Sequence, residues 1–190
     1  NGDFLLAFQD NTAYSEPFGR RLYYRHYQWS AGDWSGPESP LESRPESITR
    51  YNRLAMNAAG DAIVSWGQGT GTGGLSQMWV RRWSGSDSDW VGPAELVSDD
   101  PGNTVGWGPS VAISDNGETA VFYAQAREGT QYRDAYVRRH DGAGWQGIVK
   151  VDSEDLGDVF LGSTNCCSKG PAGIAMDDSG NIIAAWQQSD

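Results

Sequence analysis

The sequence predicts an all-β chain of β-propeller blades, small four-stranded antiparallel sheets set side by side, and three observations carry that prediction. A Gly-led phrase occurs four times, as GDFLLAF from Gly2, GDAIVSW from Gly60, GETAVFY from Gly117 and GNIIAAW from Gly180. The copies lie about sixty residues apart, and self-similarity at a fixed period marks a repeat architecture. The apolar run inside the phrase is almost continuous (Ala62, Ile63, Val64; Ile182, Ile183, Ala184, Ala185), whereas a strand wet on one face would alternate. Continuous apolarity calls for burial on both faces. The composition agrees: 25 Gly and 9 Trp in 190 residues, without long Leu/Ala/Glu/Lys stretches, favour short strands joined by turns.

Each unit resolves into four strand positions, A to D. Position A is RLAM from Arg53, SVAI from Ser110 and GIAM from Gly173. Position B is the Gly-led phrase. The A–B turns MNAAGD, ISDNGE and MDDSGN place glycine where a hairpin needs positive φ, after Asn, Asp, Ser or Ala. Position C is LYYRHY from Leu22, MWVRRW from Met78 and AYVRRH from Ala135, a mixed strand whose arginine stems can cover aromatic rings. Position D follows a turn and is Trp-led: DWSGP, DWVGP and GWQGI. Four short strands per repeat make a propeller blade. The units run over 1–51 (B, C, D), 52–108, 109–170 and 171–190 (A, B). Three periods are too few to close a ring, so the array is expected to belong to a larger propeller or to be completed by other chains.

The formal net charge of -11 argues against nucleic acid and anionic membranes as partners. No apolar run is long enough to span a bilayer. The two cysteines, Cys166 and Cys167, are neighbours and cannot staple distant parts of the chain.

The residues MDDSGNIIAAWQ (176–187), WVRR (79–82) and Gly144–Trp145 resemble secreted bacterial β-propeller repeats. That resemblance implies a propeller fold and a secreted or cell-surface location, and it leaves activity open, because propellers serve binding, scaffolding and catalysis alike. WD-type propellers need Gly-His and Trp-Asp pairs that are missing here. Sialidase-type boxes need a spacing that Ser114–Gly117 does not have.

Strand alternation puts the short A–B and C–D turns at one end of the blades and the long B–C and D–A connections at the other. Long loops on a rigid scaffold are where binding residues collect. Trp107, Tyr14, Phe18 and Tyr132 lie there as stacking candidates for a sugar ring, with Asn165 as a polar partner; burial against the blade ends is the competing role for these aromatics. Cys166–Cys167, in the longest D–A connection, form either a strained vicinal disulfide or two free thiols. No metal site is expected, since His26 and His140 sit on C strands, and no cofactor; calcium at the acidic turns Asp115–Glu118 and Asp177–Asn181 is a minor alternative, because the alternating ligand spacing is missing. No catalytic motif is present, although Asp10, Glu16, Glu128 and Asp158 lie in long loops.

The leading expectation is therefore a non-catalytic secreted or surface module that binds glycan or an extracellular protein through the long-loop face. Two alternatives stand beside it: part of a propeller-fold polysaccharide-degrading enzyme, lyase or glycosidase, and a structural subunit whose copies complete one another's blades.

Overall fold

A computed structural model describes residues 2–10, 21–41, 47–70, 76–98, 108–127, 130, 132–153, 157–160 and 173–189. These residues form strands and turns only. β1 (Phe4–Asp10), β2 (Arg21–Gln28) and β3 (Asp33–Pro40) make the first sheet. β4 (Ser47–Met56), β5 (Ala62–Thr70), β6 (Ser76–Ser84) and β7 (Asp89–Leu96) make the second, with neighbours in chain order. β8 (Ser110–Ile113), β9 (Thr119–Ala126), β10 (Arg133–His140) and β11 (Val149–Lys150) make the third. β12 (Val159–Phe160) pairs with β15 (Gln187–Gln188), and β13 (Gly173–Met176) with β14 (Ile182–Ala185). Every pairing is antiparallel.

The Gly-led phrase closes the A–B hairpin and then fills the space between sheets. Gly60, Gly117 and Gly180 all have positive φ, a conformation that costs glycine no Cβ clash. Behind them, Ala62 to Trp66 and Thr119 to Gln125 are buried without interruption. Alternate residues go to opposite neighbours. Val64 and Trp66 pack with Leu5 and Leu22 of the first sheet, whereas Ile63 packs with Val121 and Tyr123 of the third. Phe122 and Ala124 in turn pack towards Ile182, Ala184 and Trp186. Where a sheet has a neighbour on one side only, half of the pattern is open: Phe4 is 54% and Ile183 75% exposed.

Recurrent polar ties hold the units in register. The acid after the turn glycine reaches the C–D end of its own sheet: Trp29 N–H donates to Asp3 Oδ1 (2.8 Å) and Gly85 N–H to Asp61 Oδ1 (2.8 Å). Glu118 instead pairs with Arg139 at 2.6 Å. An arginine in the middle or second half of each C strand lies over the Trp of position D, as Arg25 over Trp34 (5.0 Å), Arg81 over Trp90 (5.3 Å) and Arg138 over Trp145 (5.8 Å). The indole of Trp66 donates to Gln68 at 2.9 Å, and that of Trp186 to Gln188 at 3.3 Å.

Adjacent A–B turns are laddered as well. Asn57 Nδ2 donates to Ser114 O (3.0 Å), Ala58 N–H to Asp115 Oδ1 (3.2 Å) and Asp115 N–H to Asp178 Oδ1 (2.9 Å). One Asp177 oxygen accepts the amides of Ser179 and Asn181. In these turns Asp115, Asp177 and Asp178 accept backbone amides, as hairpin turns do, and Glu118 pairs with Arg139.

Candidate functional site

The third sheet departs from the second at its B–C and D–A end. Aligned by register, Thr70, Ser76, Gln77, Leu96 and Ser98 of the second unit correspond to Arg127, Arg133, Asp134, Lys150 and Asp152 of the third. Five neutral side chains have become charged, although the surrounding backbone pairing is the same. Packing alone gives no reason for that, because the second sheet packs without them.

The charges are arranged as buried acids roofed by cations. The Asp134 side chain is 6% exposed. Its Oδ1 accepts both Nε (2.8 Å) and Nη2 of Arg127, while Oδ2 lies 3.3 Å from Lys150 Nζ and 3.4 Å from the Tyr136 hydroxyl. Burial alone would push the Asp134 carboxyl up, but the bonds from Arg127 and Lys150 outweigh it and hold the group below its ordinary range. Asp152, whose side chain is 0% exposed, accepts the Ala135 N–H on Oδ1 at 2.8 Å. Its Oδ2 takes part in no hydrogen bond and lies 3.9 Å from Arg127 Nη2. Burial, and then the Asp134 charge, push the Asp152 carboxyl up. Burial and Asp134 likewise raise Tyr136. Two neighbouring carboxyls are thereby moved in opposite directions, Asp134 down by its cations and Asp152 up by burial, a pattern that suits acid–base work.

Asp158 extends the group. Its Oδ1 accepts Arg133 N–H at 2.8 Å, and Oδ2 lies 3.4 Å from Arg133 Nη1. This loop carboxylate therefore fastens a strand end. Tyr132, next to Arg133, is 40% exposed and offers its ring to solvent at the rim of the cluster. Of the stacking and polar candidates, Tyr132 is described; Trp107, Tyr14, Phe18, Asn165, Cys166 and Cys167 lie outside the described residues, as do Glu16 and Glu128. Among the described residues, no group of His, Cys, Asp or Glu side chains is arranged to hold a metal ion.

The register also places the root of the Cys-Cys connection. Val159 and Phe160 pair with Gln188 and Gln187 as Thr49 and Arg50 pair with Gln68 and Gly67. Gly173 then pairs with Ala185 as Arg53 pairs with Ser65. Positions 161–172 thus fall in the sequence where Tyr51 and Asn52 stand in the second unit.

No protein-family model matches the chain, and no curated protein sequence is similar to it. Solved structures do match. A chain described as a new family of polysaccharide lyase, PL25 ulvan lyase, superposes with a TM-score of 0.64 at 13% identity, covering 99% of this chain and 50% of that one. An α-L-arabinanase of Penicillium chrysogenum, complexed with arabinobiose, superposes with a TM-score of 0.55 at 15% identity, covering 97% of this chain and 53% of that one. The fold is that of β-propeller blades. The chain spans about half the length of both matching structures. The comparison also corrects the leading functional expectation. A non-catalytic module was expected, and two of the structures that match are enzymes, a polysaccharide lyase and an arabinanase, a finding that favours the enzyme alternative instead.

Proposed function

We propose that the chain is part of a propeller-fold polysaccharide-degrading enzyme, a lyase or a glycosidase, whose glycan substrate lies along the B–C and D–A face. The observation that carries this reading is the replacement of five neutral side chains of the second sheet by Arg127, Arg133, Asp134, Lys150 and Asp152 in the third. Both reaction classes work on a face built of acids and cations. Glycoside hydrolysis uses one protonated and one ionised carboxyl, and a lyase needs a proton acceptor near cations that offset developing negative charge. The cations beside Asp134 hold its carboxyl down, and burial pushes that of Asp152 up. Both are too buried to touch a sugar in this arrangement, so their part is to shape and polarise the face. Tyr132 supplies an exposed ring at the edge for the C–H surface of a sugar. Trp107, Tyr14, Phe18 and Asn165 belong to the same proposed face by their place in the long connections, and Cys166–Cys167 to the segment rooted at Phe160. A secreted or cell-surface location fits substrates that are found outside the cell.

The test is turnover. Incubation of the protein with arabinan and with ulvan is expected to release reducing ends from one of them, with unsaturated-product absorbance in addition if the reaction is elimination. Tyr132→Ala is expected to raise KM about five- to tenfold, the worth of one stacking contact of about 1 kcal/mol, with kcat little changed. Binding of these glycans without any new reducing ends or absorbance would overturn the enzyme reading.

A further inference from the structure

Asp152 does more than its place in the repeat requires. In the second sheet a serine does the matching work: Met78 N–H donates to Ser98 Oγ at 3.1 Å, as Ala135 N–H donates to Asp152 Oδ1 at 2.8 Å. One neutral oxygen is enough to fasten the strand. Asp152 brings a second, sealed from solvent and without a hydrogen bond. A sealed, donorless carboxylate oxygen is costly while ionised and far less so once the group carries a proton.

We propose that Asp152 is a positioning residue whose proton sets how firmly the connection after β11 is held on β10, with Asp134, Arg127 and Lys150 as its charged frame. The groups that face it come from three strands: Arg127 follows β9, Asp134 and Tyr136 stand on β10, and Lys150 ends β11. With Asp152 protonated, Asp134 is the charged one of the two carboxyls beside Arg127 and Lys150. With Asp152 ionised, two carboxylates face one another and compete for Arg127. The held connection matters for the long-loop face, because six residues after Asp152 the same segment is fastened again, by Asp158 to Arg133 N–H at 2.8 Å. Positions 161–172 follow it in the sequence.

The sign follows from the direction of each shift. Asp152 is raised above its ordinary 3.8, so its contribution is complete below that value and is lost as pH rises through the folded-state value. Asp134 runs the other way: its contribution is present above 3.8 and is lost as pH falls through its depressed value. The two together leave a stability maximum on the acidic side of neutrality.

This inference stands on geometry within the third sheet and needs no enzymatic activity. Its test is the thermal midpoint of the protein and of two variants, Asp152→Asn and Asp152→Ser, from the ordinary carboxyl value of 3.8 up to about pH 8. Both variants keep an acceptor for Ala135 N–H and remove the titration; serine is the residue that the second sheet itself uses. The variants are expected to lie within about 1 °C of the parent at the acidic end and about 3 °C above it at the alkaline end. Amide exchange at Ala135, corrected for its intrinsic rate, is expected to quicken with pH in the parent only. Three parallel curves, or variants less stable than the parent at the alkaline end, would overturn the proposal.

Discussion

Replacing Gly85 by alanine is expected to lower the thermal midpoint by about 6–12 °C, the equivalent of about 3 kcal/mol for a chain of this size. A Cβ at this position would stand 2.6 Å from the carbonyl carbon of Gly60 and 2.8 Å from the carbonyl oxygens of Ala59 and Gly60. Those atoms are backbone, so no side-chain rotation relieves the overlap. The close approach is the joint of the unit: here the C–D turn crosses the A–B turn, and Gly85 N–H is bound to Asp61. Gly144→Ala is the matched control. Its Cβ would meet nothing within 4 Å, and its effect is expected to stay within about 0.5 kcal/mol. Thermal unfolding of the two variants in parallel checks both expectations.

Phe122→Ala is expected to cost about 3–5 kcal/mol. Phe122 is fully buried, and its ring meets that of Trp186 at 5.8 Å across the junction of the third sheet with the strands that follow it. Removing it leaves a void lined by Val137, Val159, Ile182 and Trp186, residues of two units that share this cluster. The loss is therefore expected in the denaturant midpoint. Phe4→Ala removes the same kind of ring from an open position, 54% exposed, and is expected to change stability by less than about 1 kcal/mol.

The contrast between these two phenylalanines shows what the sequence could tell. The period, the turn glycines and the double-sided apolar strand were legible because each is a local pattern with one physical cause: positive φ at Gly60, Gly117 and Gly180, and a strand wedged between neighbours at Ala62–Trp66. The aromatic ending of the phrase was legible as a word, and at Trp66 and Trp186 the indole N–H donates to the glutamine two residues on. The charged cluster was not singled out. Arg127, Asp134, Lys150 and Asp152 are scattered over twenty-six positions of the chain, and each one alone looks like an ordinary polar residue near a strand end. The signal was present in a different form: aligning the units against one another shows charge in the third where Thr70, Gln77, Leu96 and Ser98 stand in the second. Asp158 was noticed as a loop carboxylate, but its role in fastening Arg133 depends on pairing between distant segments. The leading functional expectation failed for a related reason. Absence of a compact motif does not argue against catalysis on a propeller, where loops from several blades supply the groups.

The central claim is that the Gly-led strand is packed on both faces by neighbouring sheets, which is what turns one end of the array into a shared loop face. Its most direct test is thiol labelling of single-cysteine variants at Ile63, Val64 and Ile183, in a background with Cys166 and Cys167 replaced by serine. Ile63 and Val64 are adjacent, point to opposite sides and are both 0% exposed, whereas Ile183 is 75% exposed. Slow labelling at both Ile63→Cys and Val64→Cys, limited by unfolding, with rapid labelling at Ile183→Cys, is the expected result. Rapid labelling at either Ile63→Cys or Val64→Cys in the folded protein would contradict it.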